Sequence, residues 1–106
     1  MAFIDTSALP VIERKPGWLG RYFSSPSMTF GHYLFRKGAV LERHHHPQEE
    51  VWHVLEGELE ITIGEDTRTA GPGFVAVVAS GTPHSVKALS DGRAIVVDYP
   101  LREEFS

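Results

Sequence analysis

Apolar and polar positions alternate along this chain in short runs, and no stretch keeps the spacing of an amphipathic helix. Residues 28–36 are aromatic-rich and lie between Ser25-Pro26-Ser27 and Lys37-Gly38. Residues 50–55 end at Glu56-Gly57, and residues 59–63 end at Gly64-Glu65-Asp66. Residues 67–70 run into Gly71-Pro72-Gly73, and the apolar run 74–79 stops at Ser80-Gly81. Residues 85–89 end at Ser90-Asp91-Gly92, and 94–97 are apolar and rich in β-branched residues. Each run has strand length, and each boundary is a turn signal. Many short strands at this spacing predict an all-β sandwich or barrel. Glu56-Gly57 and Asp91-Gly92 are expected to be tight hairpin turns.

The segment before Met28 is less regular. Pro16-Gly17-Trp18-Leu19-Gly20 reads as a turn, with a short strand over 21–23. Pro100 breaks the final strand, and residues 102–105 are expected to form a last helical turn or a loop. The division this suggests is one domain, with a core over 28–98, an arm over 1–27 and a tail over 99–106.

Composition narrows the function classes. A chain of 106 residues supports one core, so a small-molecule site lies inside it or at a subunit interface. Ten basic residues against fourteen acidic, without a basic run, argue against a nucleic-acid partner. There is no cysteine, so any metal must be held by nitrogen and oxygen. No apolar stretch approaches the roughly 18 residues of a membrane-spanning helix. The first ten residues lack a basic region followed by an apolar one, so no signal peptide is expected, and the expected compartment is the cytoplasm.

The chemistry is concentrated in residues 38–57. Three histidines are consecutive at 44–46. On an extended strand, residues two apart share a face, so His44 and His46 point together and His45 points away. Pro47 bends the chain, which lets Glu50 come round to meet them. Two imidazoles and a carboxylate suit one divalent ion such as zinc, iron, nickel or manganese. His84, after Ser80-Gly81-Thr82-Pro83, is the best candidate for a fourth ligand. A solvated turn would account for the three histidines without calling for a further ligand after residues 80–83. The same parity places Trp52 and Val54 on the face of Glu50, and Val86 on that of His84. Trp52 is therefore core or a platform for a bound molecule. Tyr33 and Phe35 share one face of an early strand. His32, Glu49 and His53 are expected outside the site. Asp98, at the end of the last strand, is either a general acid or base or a solvated strand end.

Gly38, His44, His46, Glu50 and Gly57 match the first cupin motif at every position. Gly73 and His84 fit the spacing of the second, where Ala79 and Ala88 replace its proline and asparagine. The chain thus resembles the cupin superfamily. The resemblance implies a double-stranded β-helix, or jelly-roll barrel, with one divalent metal held by His44, His46, Glu50 and His84. It also implies a homodimer, for which covering exposed edge strands supplies a physical motive. The tail Pro100-Leu101-Arg102-Glu103-Glu104-Phe105 is similar to that of small cupins that process unsaturated uronates. In those proteins a site acid would fall near Val96, and Asp98 shares its face. Arg102 is then a candidate anion contact. The implied chemistry is metal-assisted isomerisation, ring opening or lyase reaction on a sugar acid or carbonyl compound, with Asp98, Tyr33 and Arg102 as catalytic candidates. The alternatives are a non-haem dioxygenase, which would use the same ligands, and a non-catalytic cupin that binds a sugar or anion.

Overall fold

The computed structural model describes residues 2–103. Ten antiparallel strands form two sheets: β1 (Ile12–Lys15), β2 (Trp18–Ser24), β3 (Thr29–Phe35), β4 (Val40–His44), β5 (Glu49–Glu56), β6 (Leu59–Ile63), β7 (Asp66–Ala70), β8 (Val75–Val78), β9 (His84–Ala88) and β10 (Gly92–Tyr99). The larger sheet has the order β1-β2-β3-β10-β5-β8, and the smaller the order β4-β9-β6-β7. This all-β pair of sheets is the jelly-roll arrangement expected of the sequence.

Alternation decides which side chains enter the space between the sheets. In β5, Glu50, Trp52 and Val54 are buried while Glu49 and His53 are exposed. In β10, Ala94, Val96 and Asp98 are buried. The continuous apolar run at 74–79 resolves the same way: Ala76 and Val78 turn inward, whereas Val75 and Val77 are 48% and 60% exposed. Trp18, Phe35, Trp52, Leu59 and Ile61 meet in the core. Burying one such large apolar side chain contributes roughly 1.5–3 kcal/mol.

Two local expectations are corrected. Pro16-Gly17 does turn the chain, but Trp18 already begins β2 and is only 2% exposed. Core burial of its indole outweighs the local turn signal. Glu56-Gly57 and Asp91-Gly92 are not hairpins, because the strands on either side of each belong to different sheets. They are crossovers that pack against one another. A Cβ on Gly57 would lie 2.3 Å from the Asp91 carbonyl oxygen, and one on Gly92 would lie 2.2 Å from that of Glu56. Close backbone approach, more than turn type, requires glycine at both.

Residues 100–102 fold back over β5 and β3. Gln48 Nε2 donates to the Leu101 carbonyl at 3.1 Å, and the Arg102 amide donates to Thr29 Oγ1 at 3.0 Å. These bonds bring Arg102 to the open end of the larger sheet. Glu104 and Phe105 of the expected helical turn or loop lie outside the described residues.

Candidate metal centre

His44 ends β4 and stands directly opposite His84, the first residue of β9. Their ring centroids are 4.3 Å apart, and the His46 ring lies 5.6 and 5.0 Å from them. Hydrogen bonds hold the connecting turns: Gly81 N–H donates to the His46 carbonyl at 2.9 Å, and Ser80 Oγ to that of Pro47. Glu50, near the start of β5, completes the group at 3% exposure.

The hydrogen bonds fix which atoms remain for a ligand. Nδ1 of His44, His46 and His84 contacts the carbonyls of Glu42, Gln48 and Thr82 at 2.7, 3.0 and 2.8 Å. A carbonyl oxygen can only accept, so each Nδ1 carries a proton and, in the neutral ring, each Nε2 presents a lone pair. Glu50 is held likewise: Trp52 Nε1–H donates to its Oε1 at 2.6 Å. Its Oε2 then faces His46 Nε2 at 2.6 Å and His84 Nε2 at 3.5 Å. The 2.6 Å approach is close, yet neither atom makes an aligned hydrogen bond. Two electron pairs this near need a cation to share, either a proton or a metal ion. His44, His46 and His84 form one cluster whose ligand atoms lie within 4.8 Å of one another, and His46, Glu50 and Asp98 form another. Either could hold a divalent cation, and the nitrogen and oxygen donors fit such an ion.

The electrostatics follow from these contacts. Burial acts to raise the Glu50 carboxyl, but His46 and His84 outweigh it and hold Glu50 well below the usual carboxylate range. Burial acts to lower His84, and the contact with Glu50 prevails, leaving His84 raised. His44 is lowered, chiefly by burial. Burial raises the Tyr33 hydroxyl far above the usual phenol range, with Tyr22, Glu50 and Asp98 adding to it.

Asp98 pairs with Glu50 across β10 and β5 and is 3% exposed, so it is not a solvated strand end. The alternation Ala94, Val96, Asp98 carries it inward. Arg102 Nη1 lies 3.8 Å from Asp98 Oδ2 and 3.9 Å from Glu50 Oε2, placing one cation between two buried carboxylates. His45, Glu49 and His53 are exposed, and His32 packs on Phe23 at the outer face.

A cavity of about 880 Å³ opens from this cluster along the inner face of the larger sheet. Trp52 and Tyr33 line it, stacked at 6.2 Å, as do Trp18 and Tyr22, which the sequence did not single out. A repeated Gly-x-Tyr pattern was the available signal. Gly20 pairs with Tyr33 and Tyr22 with Gly31 across β2 and β3. Each tyrosine ring lies over the glycine two residues before it, where a Cβ would come within 2.6–2.8 Å of the ring.

The chain matches the cupin domain family over residues 31–100. It is 31% identical over 81 residues to an uncharacterized protein of Streptomyces coelicolor, covering 76% of this chain and 77% of that one. The fold is similar to an RmlC-like cupin from Shewanella frigidimarina, with TM-score 0.93 and 20% identity over 100% of this chain and 96% of the other. It is similar to KdgF from a Halomonas species, with TM-score 0.93 and 23% identity over 100% and 99%. It also superposes on part of oxalate decarboxylase from Bacillus subtilis, with TM-score 0.84 and 22% identity over 95% of this chain and 30% of that one. The strand order, the convergent histidines and these matches together show that the chain belongs to the cupin domain family.

Proposed function

We propose that His44, His46, Glu50 and His84 hold one divalent metal and that the cavity beside it processes a small oxygenated substrate, a sugar acid or carbonyl compound, by isomerisation, ring opening or elimination. The observation that carries this reading is the convergence of three Nε2 lone pairs and Glu50 Oε2, each fixed from behind by a second hydrogen bond. When bound, the metal supplies Lewis-acid polarisation of a carbonyl or hydroxyl oxygen. The remaining steps belong to side chains. Asp98 is a buried carboxylate beside that position and takes or returns the proton. Arg102, with Nη1 3.8 Å from Asp98 Oδ2, orients it. Tyr33 stays protonated and acts as a hydrogen-bond donor to substrate. Trp52 fixes Glu50 and walls the cavity. A positioned proton carrier favours proton-transfer chemistry over reaction with dioxygen and over binding alone.

The reading includes a cytoplasmic homodimer joined through the outer face of the larger sheet. Leu34, Val75 and Val77 are 46%, 48% and 60% exposed there. Six strands about 4.8 Å apart and roughly 20 Å long present on the order of 600 Å² per subunit, about the lower bound for a specific interface. Light scattering checks it: twice the monomer mass supports the dimer, and a monomer at all concentrations rejects it.

The chemistry is tested by a turnover screen of metal-loaded protein against unsaturated uronates and small carbonyl compounds. Turnover that is abolished by a chelator, and lost at least a hundredfold in Asp98→Asn with metal retained, supports it. Full activity in Asp98→Asn would remove Asp98 from the mechanism.

A further inference from the structure

The rim of the cavity carries cations that stand outside the histidine cluster. The chain as a whole is acidic, with 14 acidic residues against 10 basic. The cavity reverses that balance. Among the described residues its lining includes four of the ten cations, Arg14, Lys15, Arg43 and Arg102, against three acids, Glu42, Glu50 and Asp98. Arg102 belongs to the buried end, beside Glu50 and Asp98. Arg43 is directed toward the smaller sheet, where Nη1 donates to the Gly64 carbonyl at 3.0 Å. Arg14 and Lys15 lie on the exposed edge strand β1.

A bulge brings both to the edge of the cavity. Neighbouring residues on a regular strand face opposite sides, yet Arg14 and Lys15 both line this space. The pairing of β1 with β2 slips between Glu13 and Lys15, which makes Arg14 the extra residue. Such bulges re-aim side chains at sheet edges and beside functional sites. The Arg14 guanidinium lies over the Tyr22 ring, 4.7 Å from its centroid. Tyr22 itself lies across Gly20, where a Cβ would come 2.6 Å from the ring. The glycine thus seats the tyrosine, and the tyrosine face seats a planar cation suited to a carboxylate.

We propose that Arg14, with Lys15 beside it, is an anion-recognition subsite that binds the carboxylate of a ligand whose other oxygens reach the histidine cluster. This subsite presupposes the sugar-acid reading of the cavity. Arg14 is exposed, so its effect is a few-fold in affinity and weakens with salt.

The test is calorimetric binding of D-galacturonate and its methyl ester to zinc-loaded protein at low salt. Wild type is expected to prefer the acid by about threefold to fivefold. Arg14→Gln should lose that preference while ester affinity, zinc content and melting temperature stay unchanged. The subsite is overturned if Arg14→Gln keeps the preference, if Arg102→Gln alone removes it, or if wild type binds acid and ester equally. If wild type binds neither, the sugar-acid reading has failed and the subsite falls with it.

Discussion

Trp52→Phe isolates one bond behind the metal cluster. The indole Nε1–H donates to Glu50 Oε1 at 2.6 Å, and both residues are at most 3% exposed. A hydrogen bond to a charged group contributes roughly 1.5–3 kcal/mol. Partners standing behind a metal ligand typically change metal affinity about 10- to 100-fold, which is the same range. Phe keeps an aromatic ring against Trp18 and Tyr33 but supplies no donor, so Glu50 Oε1 is left buried without it and its rotamer is released. Trp18→Phe is the matched control. It makes the same change of ring in the same cluster, 5.9 Å away, but Trp18 Nε1 has no hydrogen-bond partner among the described residues. Zinc affinity measured by competition with a chromophoric chelator should fall about 10- to 100-fold in Trp52→Phe and stay within about threefold in Trp18→Phe. Equal losses in both variants, or none in Trp52→Phe, would refute the role given to this bond.

The consecutive histidines allow a second comparison. His46→Ala should remove metal, whereas His45→Ala, whose side chain is exposed, should retain it, as read by elemental analysis; equal loss in both would overturn the parity argument. Metal-free protein should show its own pH signature. His84 is raised, so its contribution is full below about pH 6.5 and is lost as pH rises through its folded value. Glu50 is depressed, so its contribution is full above about pH 4.3 and is lost as pH falls through its folded value. Those two groups favour a range between about pH 4.3 and 6.5, whereas His44, lowered by burial, favours pH above about 6.5, so without metal the melting temperature should fall most steeply below about pH 4.3. The added stability from zinc should instead grow with pH, because the metal must displace the His84 proton. Parallel pH profiles with and without zinc would contradict this.

The site was more legible in the sequence than much of the fold around it. Period-two parity from Glu50 placed Trp52 and Val54 inside and His53 outside. The same rule sends His45 away from His44 and His46, although β4 ends at His44 and the turn after it, not a strand, carries the other two. Parity fails where the register slips. The bulge at Arg14 sends consecutive side chains to one cavity, and nothing local to Ile12-Glu13-Arg14-Lys15 announces it. The Glu56-Gly57 and Asp91-Gly92 signals marked real turns but not which sheet each strand would join, since that choice is made by distant pairing. Trp18 is hidden by the neighbouring Pro-Gly for a related reason: local turn chemistry says nothing of the indole's tertiary contacts. Asp98 read equally well as a solvated strand end until its pairing with Glu50 fixed it inside.

Metal content of the purified protein tests the central claim most directly. Elemental analysis should find about one divalent metal per chain, removable by chelator at mildly acidic pH and restored by zinc or manganese at neutral pH. Protein that stays metal-free after loading at neutral pH, while folded by circular dichroism, would contradict the account.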